Sequence, residues 1–284
     1  MNEGGLMMKI SETYPKELEL SRRGLLHAML ALSGGALTAA ASTALGASDA
    51  LGAESVPGTP PQSDSLSLMF DLTVRIPPGQ LDQWHHFWGD ENVPALEENG
   101  QWLWGAWTSL TGQQNTVTHE WAYRDLAHYQ AMATMRATDP RIHALAQHGV
   151  RIEENILSSV MTPLPYHAPS RPTRTAEADS LIVTSRVFLQ GASGAPEYSQ
   201  LMAQYVARAA THGAELLGAF QSFFGWTPSY QLHVWRYANV GAYWTTMRAL
   251  NADAECQRLA SQLRSLQPHE VVEFQLPTPY SRLR

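Results

Sequence analysis

The chain has 284 residues, 44% of them hydrophobic and 16% charged, and its 26 acidic against 19 basic side chains leave a formal charge of -7. An acidic balance of this kind argues against binding nucleic acid or an anionic membrane, which needs clustered Lys and Arg. Nine Trp, ten Tyr and seven Phe exclude wholesale disorder, and the lone Cys256 excludes an intramolecular disulfide and any Cys-based zinc cluster.

Residues 1–53 read as an export signal. Ser21-Arg22-Arg23-Gly24-Leu25-Leu26 opens an apolar run diluted by Ser33, Gly34 and Gly35, too short and too interrupted for the roughly 20 residues that span a bilayer. The pattern resembles a twin-arginine signal, with Arg22 and Arg23 as the paired arginines; Ala39-Ala40-Ala41 and Leu51-Gly52-Ala53 both offer small residues for cleavage. That resemblance implies the twin-arginine translocase as a partner and a periplasmic or secreted location. A Ser- and Pro-rich linker, 54–65, follows.

The remainder is one motif written twice. Gly105-Ala106-Trp107, Ser109 and Gly112 return as Gly218-Ala219-Phe220, Ser222 and Gly225, displaced by 113. His119, Trp121 and Tyr123 return as His233, Trp235 and Tyr237, displaced by 114, as do Tyr129 as Tyr243 and Asp139 as Asp253. Upstream, Thr73 and Arg75 match Thr184 and Arg186 with two residues of slippage. Two homologous domains, 66–162 and 180–280, joined by a linker over 163–179, are the expected organisation.

Within each copy the pattern gives a strand (Leu66 to Ile76 in the first), a helix from Leu81, and two strands parted by the turn Thr111-Gly112-Gln113-Gln114-Asn115. A helix from about Asp125 breaks at Asp139-Pro140, where Asp139 can cap the next helix, and a last strand runs from Arg151 to Met161. The order βαββαβ predicts an α+β chain of two tandem ferredoxin-like domains. Two helices cover one face of each sheet, and pairing the sheets of the two copies covers the other. With that pairing satisfied inside the chain, a monomer or weak dimer is expected.

Gly105-Ala106-Trp107-Thr108-Ser109, followed by the hairpin, Thr118-His119-Glu120-Trp121-Ala122-Tyr123 and a broken second helix, resembles NIPSNAP-family domains. The second copy keeps Gly218-Ala219-Phe220-Gln221-Ser222 and Leu232-His233-Val234-Trp235-Arg236-Tyr237, and the resemblance covers nearly all of 66–280. It implies an intramolecular dimeric α/β barrel. It implies no settled reaction, because barrels of this group include cofactor-free monooxygenases, haem-degrading enzymes, dismutases and small-molecule binders.

Period-two geometry puts His119, Trp121 and Tyr123 on one strand face, and His233, Trp235 and Tyr237 on another. If those faces line the barrel, His119 and His233 are the candidate catalytic groups, and Trp107, Trp121, Tyr123, Phe220, Trp235 and Tyr237 the candidate apolar wall of a site for a small aromatic molecule. The opposing reading packs that face beneath the helices, each His serving as a strut. Glu120 and Arg236 are taken as counterparts on the other face, a cross-barrel ion pair or an acid/base site if that face is the inner one and solvated otherwise. On the first helix, Trp84, Phe87 and Trp88 read as core with His85 and His86 near the surface; Asp82 and Asp90 lie four residues either side of His86. His143 and His148 are on different helical faces, and Cys256 reads as a buried inert thiol. The expectation is an exported protein that binds or transforms a small apolar or aromatic molecule in the barrel between its domains. A protein–protein interaction module and a haem-binding barrel are the other readings. No metal site is expected, and no cofactor is named.

Overall fold

The computed structural model describes residues 66–151, 155–167, 169, 180–189, 195–225, 230–267 and 269–283. The export signal, its cleavage sites and the linker over 54–65 lie outside the described residues.

Copy 1 runs β1 (Leu68–Arg75), α1 (Leu81–His86), a π-helical stretch (Phe87–Asn92), α2 (Val93–Glu98), β2 (Trp102–Ser109), β3 (Thr116–Tyr123), α3 (Leu126–Thr138), α4 (Pro140–Arg151) and β4 (Asn155–Pro163). Copy 2 runs β5 (Leu181–Phe188), α5 (Ala195–Ala210), β6 (Glu215–Gly225), β7 (Tyr230–Tyr237), α6 (Val240–Ala252), α7 (Ala254–Leu266) and β8 (His269–Pro277). The strands close into one antiparallel barrel in the order β1-β3-β2-β8-β5-β7-β6-β4. Each copy supplies four neighbouring strands, and two seams, β2 with β8 and β4 with β6, join the copies edge to edge. Every strand has two neighbours in the closed barrel, but the β2–β8 seam is short, pairing only Trp107–Ser109 with Gln275–Pro277.

The same local chemistry starts the same helices twice. Asp125 and Asn239 cap α3 and α6 by accepting the amides of His128 (2.7 Å) and Ala242 (2.9 Å). Asp139 takes the Arg141 and Ile142 amides at the start of α4, and Asp253 takes those of Glu255 and Cys256 at the start of α7. Each such cap contributes about 1 kcal/mol.

The register corrects the alignment of the first strands. Leu68 pairs with Tyr123 and Leu181 with Tyr237, so β1 maps onto β5 with an offset of 113 and no slippage. Thr73 is therefore the counterpart of Arg186, and Asp71 of Thr184. The first helix differs between copies by one residue. Trp84 and Tyr198, 114 apart, sit 6.2 and 6.3 Å from His119 and His233 respectively. Gly100 and Gly213, 113 apart, close the two helical segments with the same φ of 88°. The extra residue in copy 1 is absorbed as the π-helical stretch, the usual result of inserting one residue into an α-helix.

Three apolar layers result. One lies between the copy 1 sheet and its helices, one between the copy 2 sheet and its helices, and one fills the barrel lumen. In β2 and β6 the ladder shifts at Leu103/Gly105 and Leu216/Gly218, where Trp107 and Phe220 fold back over the glycine. A Cβ on Gly105 would lie 2.3 Å from the Trp107 ring, and one on Gly218 2.6 Å from Phe220, which is why the repeated Gly-Ala-Trp/Phe motif needs glycine.

Candidate functional site

Alternation along β1 and β3 sends Phe70, Leu72, His119, Trp121 and Tyr123 toward the helices, and Met69, Asp71, Glu120 and Ala122 into the lumen. The His-x-Trp-x-Tyr faces of both copies thus lie beneath the helices and do not line the barrel. Of the sequence candidates, Trp107 and Phe220 reach the lumen, where each meets Trp104 edge-on; His119, Trp121, Tyr123, His233, Trp235 and Tyr237 do not. The proposed roles of the histidines inside the barrel fail on this geometry.

Beneath the helices each histidine is nonetheless in a built environment. His119 Nε2 is 2.9 Å from the Tyr280 hydroxyl, and His233 Nε2 is 2.6 Å from that of Tyr166. Tyr280 follows β8 of copy 2, whereas Tyr166 follows β4 of copy 1, so each copy sends a tyrosine to the other's histidine. The signal was in the chain: Pro163-Leu164-Pro165-Tyr166 returns as Pro277-Thr278-Pro279-Tyr280, at the same offset of 114, and reading 163–179 as a linker hid it. Burial pushes His119 down to about 3, with His85 adding to the effect, and pushes His233 down to about 3, with His167 adding. Both imidazoles are neutral at physiological pH. A base that weak accepts a hydrogen bond far better than it takes a proton from a weak acid.

Around His119 the copies diverge. The π-helical stretch stacks Trp88 on His119 at 4.2 Å; the Tyr280 ring lies 5.8 Å from that of His119 and near-parallel to it, and Gly89 packs against Tyr280. His85, half-buried, lies 5.8 Å from Tyr280 and 3.4 Å from the Thr108 hydroxyl. Trp84, Phe87 and Trp88 are buried as core residues, while His86 is exposed and paired with Asp90 at 3.1 Å. In copy 2 Tyr198 takes the place of Trp84 beside its histidine, and the same offset of 114 aligns Met202 with Trp88.

The lumen holds the other polar cluster. Arg186 pairs with Glu273 at 2.8 Å and Asp71 at 3.4 Å, and the Tyr230 hydroxyl donates to Asp71 at 3.1 Å. Burial opposes the charge on Arg186, but Asp71, Tyr230 and Glu273 outweigh it and raise its pKa. Glu120 faces Asp71 across the β1–β3 ladder, fully buried, with no partner for either carboxyl oxygen among the described residues. Burial first, and Asp71 second, raise its pKa well above the usual carboxylate range against the pull of Arg186 and so favour its neutral form. Glu120 and Arg236 form no cross-barrel pair: the true counterparts are Val234 and Ala122, and Arg236 pairs with Glu215 at 2.8 Å.

The NIPSNAP family profile matches residues 72–168 and again 189–282. This chain belongs to the NIPSNAP family. Both copies of the NIPSNAP domain are needed to close its single barrel. Among solved structures, a candidate monooxygenase from Fusobacterium nucleatum is 8% identical, with a TM-score of 0.56 over 75% of this chain and 93% of its own. An anthrone oxidase-like protein is 10% identical, with a TM-score of 0.53 over 75% of this chain and 92% of its own. An uncharacterized NIPSNAP domain protein from Burkholderia xenovorans is 28% identical, covering 35% of this chain and 97% of its own, with a TM-score of 0.34. A search of curated proteins returns no match.

Proposed function

We propose that this NIPSNAP protein binds, between the sheet and the first helix of copy 1, a small aromatic molecule carrying one hydroxyl or carbonyl oxygen. The observation that carries the reading is the one-residue insertion that stacks Trp88 on His119, beside the half-buried His85 and Tyr280. π-Helical turns concentrate at functional sites, and the aromatic walls here surround a neutral imidazole able to accept from a ligand hydroxyl in place of Tyr280. The likeness to a candidate monooxygenase and an anthrone oxidase-like protein extends the proposal to oxidation of such a ring. A ring methylene would become a carbonyl with one oxygen atom of dioxygen, the other leaving as water with the two hydrogens.

Thermal shift and calorimetry with anthrone and 1-naphthol test the binding. Trp88→Ala should weaken it at least tenfold, while Met202→Ala, its counterpart, should leave it unchanged. Equal affinity in Trp88→Ala overturns the site. Oxygen uptake with anthrone decides the extension: stabilisation without uptake confines the function to binding.

We further propose that the chain is exported by the twin-arginine route and acts in the periplasm or outside the cell, on the strength of Arg22 and Arg23 and the apolar run after them. Replacing both by Lys should strand the protein in the cytoplasm on fractionation; unchanged export sinks the idea.

A further inference from the structure

Copy 2 carries a cluster that neither the family resemblance nor the aromatic site explains. His212, Asp253 and Cys256 each offer one ligand-type atom within 4.8 Å of the other two, and His212 Nε2 lies 2.7 Å from Asp253 Oδ2. They come from two parts of the fold: His212 lies in the turn after α5, whereas Asp253 caps α7 and Cys256 sits in its first turn. We propose that these three side chains form a site for a thiophilic divalent ion such as Zn²⁺, with water completing the tetrahedron.

The residue types suit that ion: imidazole, carboxylate and thiolate are its ordinary ligands, and three protein ligands plus water is the pattern of an open zinc site. Ligand atoms around tetrahedral zinc are roughly 3.2 to 3.8 Å apart, so closure needs a contraction of about 1 Å at most. The His212–Asp253 contact, at 2.7 Å, would open slightly as the metal replaces the shared proton.

The site is held in place before any ion arrives. Asp253 is fixed by the amides of Glu255 and Cys256 on its Oδ1, leaving Oδ2 for the cluster. His212 is fixed by its own amide to the Ala209 carbonyl, and by the Thr246 hydroxyl on its carbonyl oxygen at 3.1 Å. The fold does not demand these residues. The counterparts in copy 1 are Asn99, Asp139 and Ile142, which share the capping aspartate and nothing else that would ligate zinc.

Two features act against a cation, and both are open to measurement. Arg208 Nε donates to Asp253 Oδ2 at 2.7 Å, but its side chain is 48% exposed and can swing to water. Burial, together with the Asp253 charge, raises the pKa of the Cys256 thiol, which a bound zinc would reverse by taking the thiolate directly.

Titration of the metal-free full chain with Co²⁺ reads the site directly, because a cobalt–thiolate bond gives a charge-transfer band in the near ultraviolet and tetrahedral cobalt gives strong visible bands. One equivalent should bind with both signatures, and Zn²⁺ should displace it. Cys256→Ser should abolish the charge-transfer band and weaken zinc at least tenfold; His212→Gln should weaken it similarly, and Arg208→Ala should tighten it. Circular dichroism of each variant separates ligand loss from unfolding. Absence of the thiolate band in the parent chain, or zinc affinity unchanged in Cys256→Ser, overturns the proposal.

Discussion

Copy 1 sends Asp71 and Glu120 into the lumen where copy 2 sends Thr184 and Val234; copy 2 sends Arg186 and Glu273 where copy 1 sends Thr73 and Ser159. The shared backbone therefore encloses two different half-sites. Two copies of the first half would bring together two Asp71 and two Glu120 with no arginine between them, a costly burial of like charge. Joining the copies in one chain frees each half to specialise, and the Arg186–Asp71 pair forms only between unlike halves. Beneath the helices the opposite holds: the His–Tyr exchange is the same in both copies, so it reads as a requirement of the fold, whereas the Trp88 stack and the His212–Asp253–Cys256 cluster each belong to one copy.

The lumen gives the sharpest test of that contrast. Arg186→Ala strands Asp71 and Glu273 without their cation and should cost about 3 to 5 kcal/mol in urea denaturation, whereas Thr73→Ala, at the equivalent place, should cost under about 1 kcal/mol. Similar small losses in both would make the complementarity incidental.

Acid titration comes next. Below the ordinary histidine value of 6.5 the unfolded chain takes up protons that His119 and His233 refuse until about 3, so stability falls as pH falls through that window. Each histidine should contribute on the order of a few kcal/mol, and His119→Gln and His233→Gln should each flatten the acid limb to a similar degree. Glu120 acts in the other direction and only in copy 1. Its unfolded form ionises from 4.5 upward while the folded one holds its proton to higher pH, so stability is lost as pH rises from that value, and Glu120→Gln should remove that loss alone.

Tyr280→Phe and Tyr166→Phe each leave a buried imidazole nitrogen without its hydroxyl and should cost about 1 to 3 kcal/mol by equilibrium unfolding. A loss confined to one of them would break the symmetry of the exchange. At the small end, Asp125→Ala and Asn239→Ala remove equivalent caps and should each lower stability by about 1 kcal/mol on the same assay.

Repetition and spacing in the sequence alone determine that there are two copies, their βαββαβ order, the hairpins and the capped helices. These depend on contacts a few residues apart, or on a residue's own conformational preference, and such features leave a local signature. The orientation of the His-x-Trp-x-Tyr strand is decided only in the tertiary structure. Alternation separates two faces without naming them, and every residue of β3 is buried because helices cover one side and the other sheet covers the second. For the same reason Glu120 stands between residues that look like core, and its isolation appears only when the barrel closes. The Tyr280–His119 contact spans 161 residues and the Arg186–Asp71 pair 115, and distances of that kind are set by which edges meet at the seams. The π-helical stretch lies between: the change in offset from 114 to 113 is in the sequence, but only the packing of Trp84 and Tyr198 against equivalent histidines shows where the extra residue went.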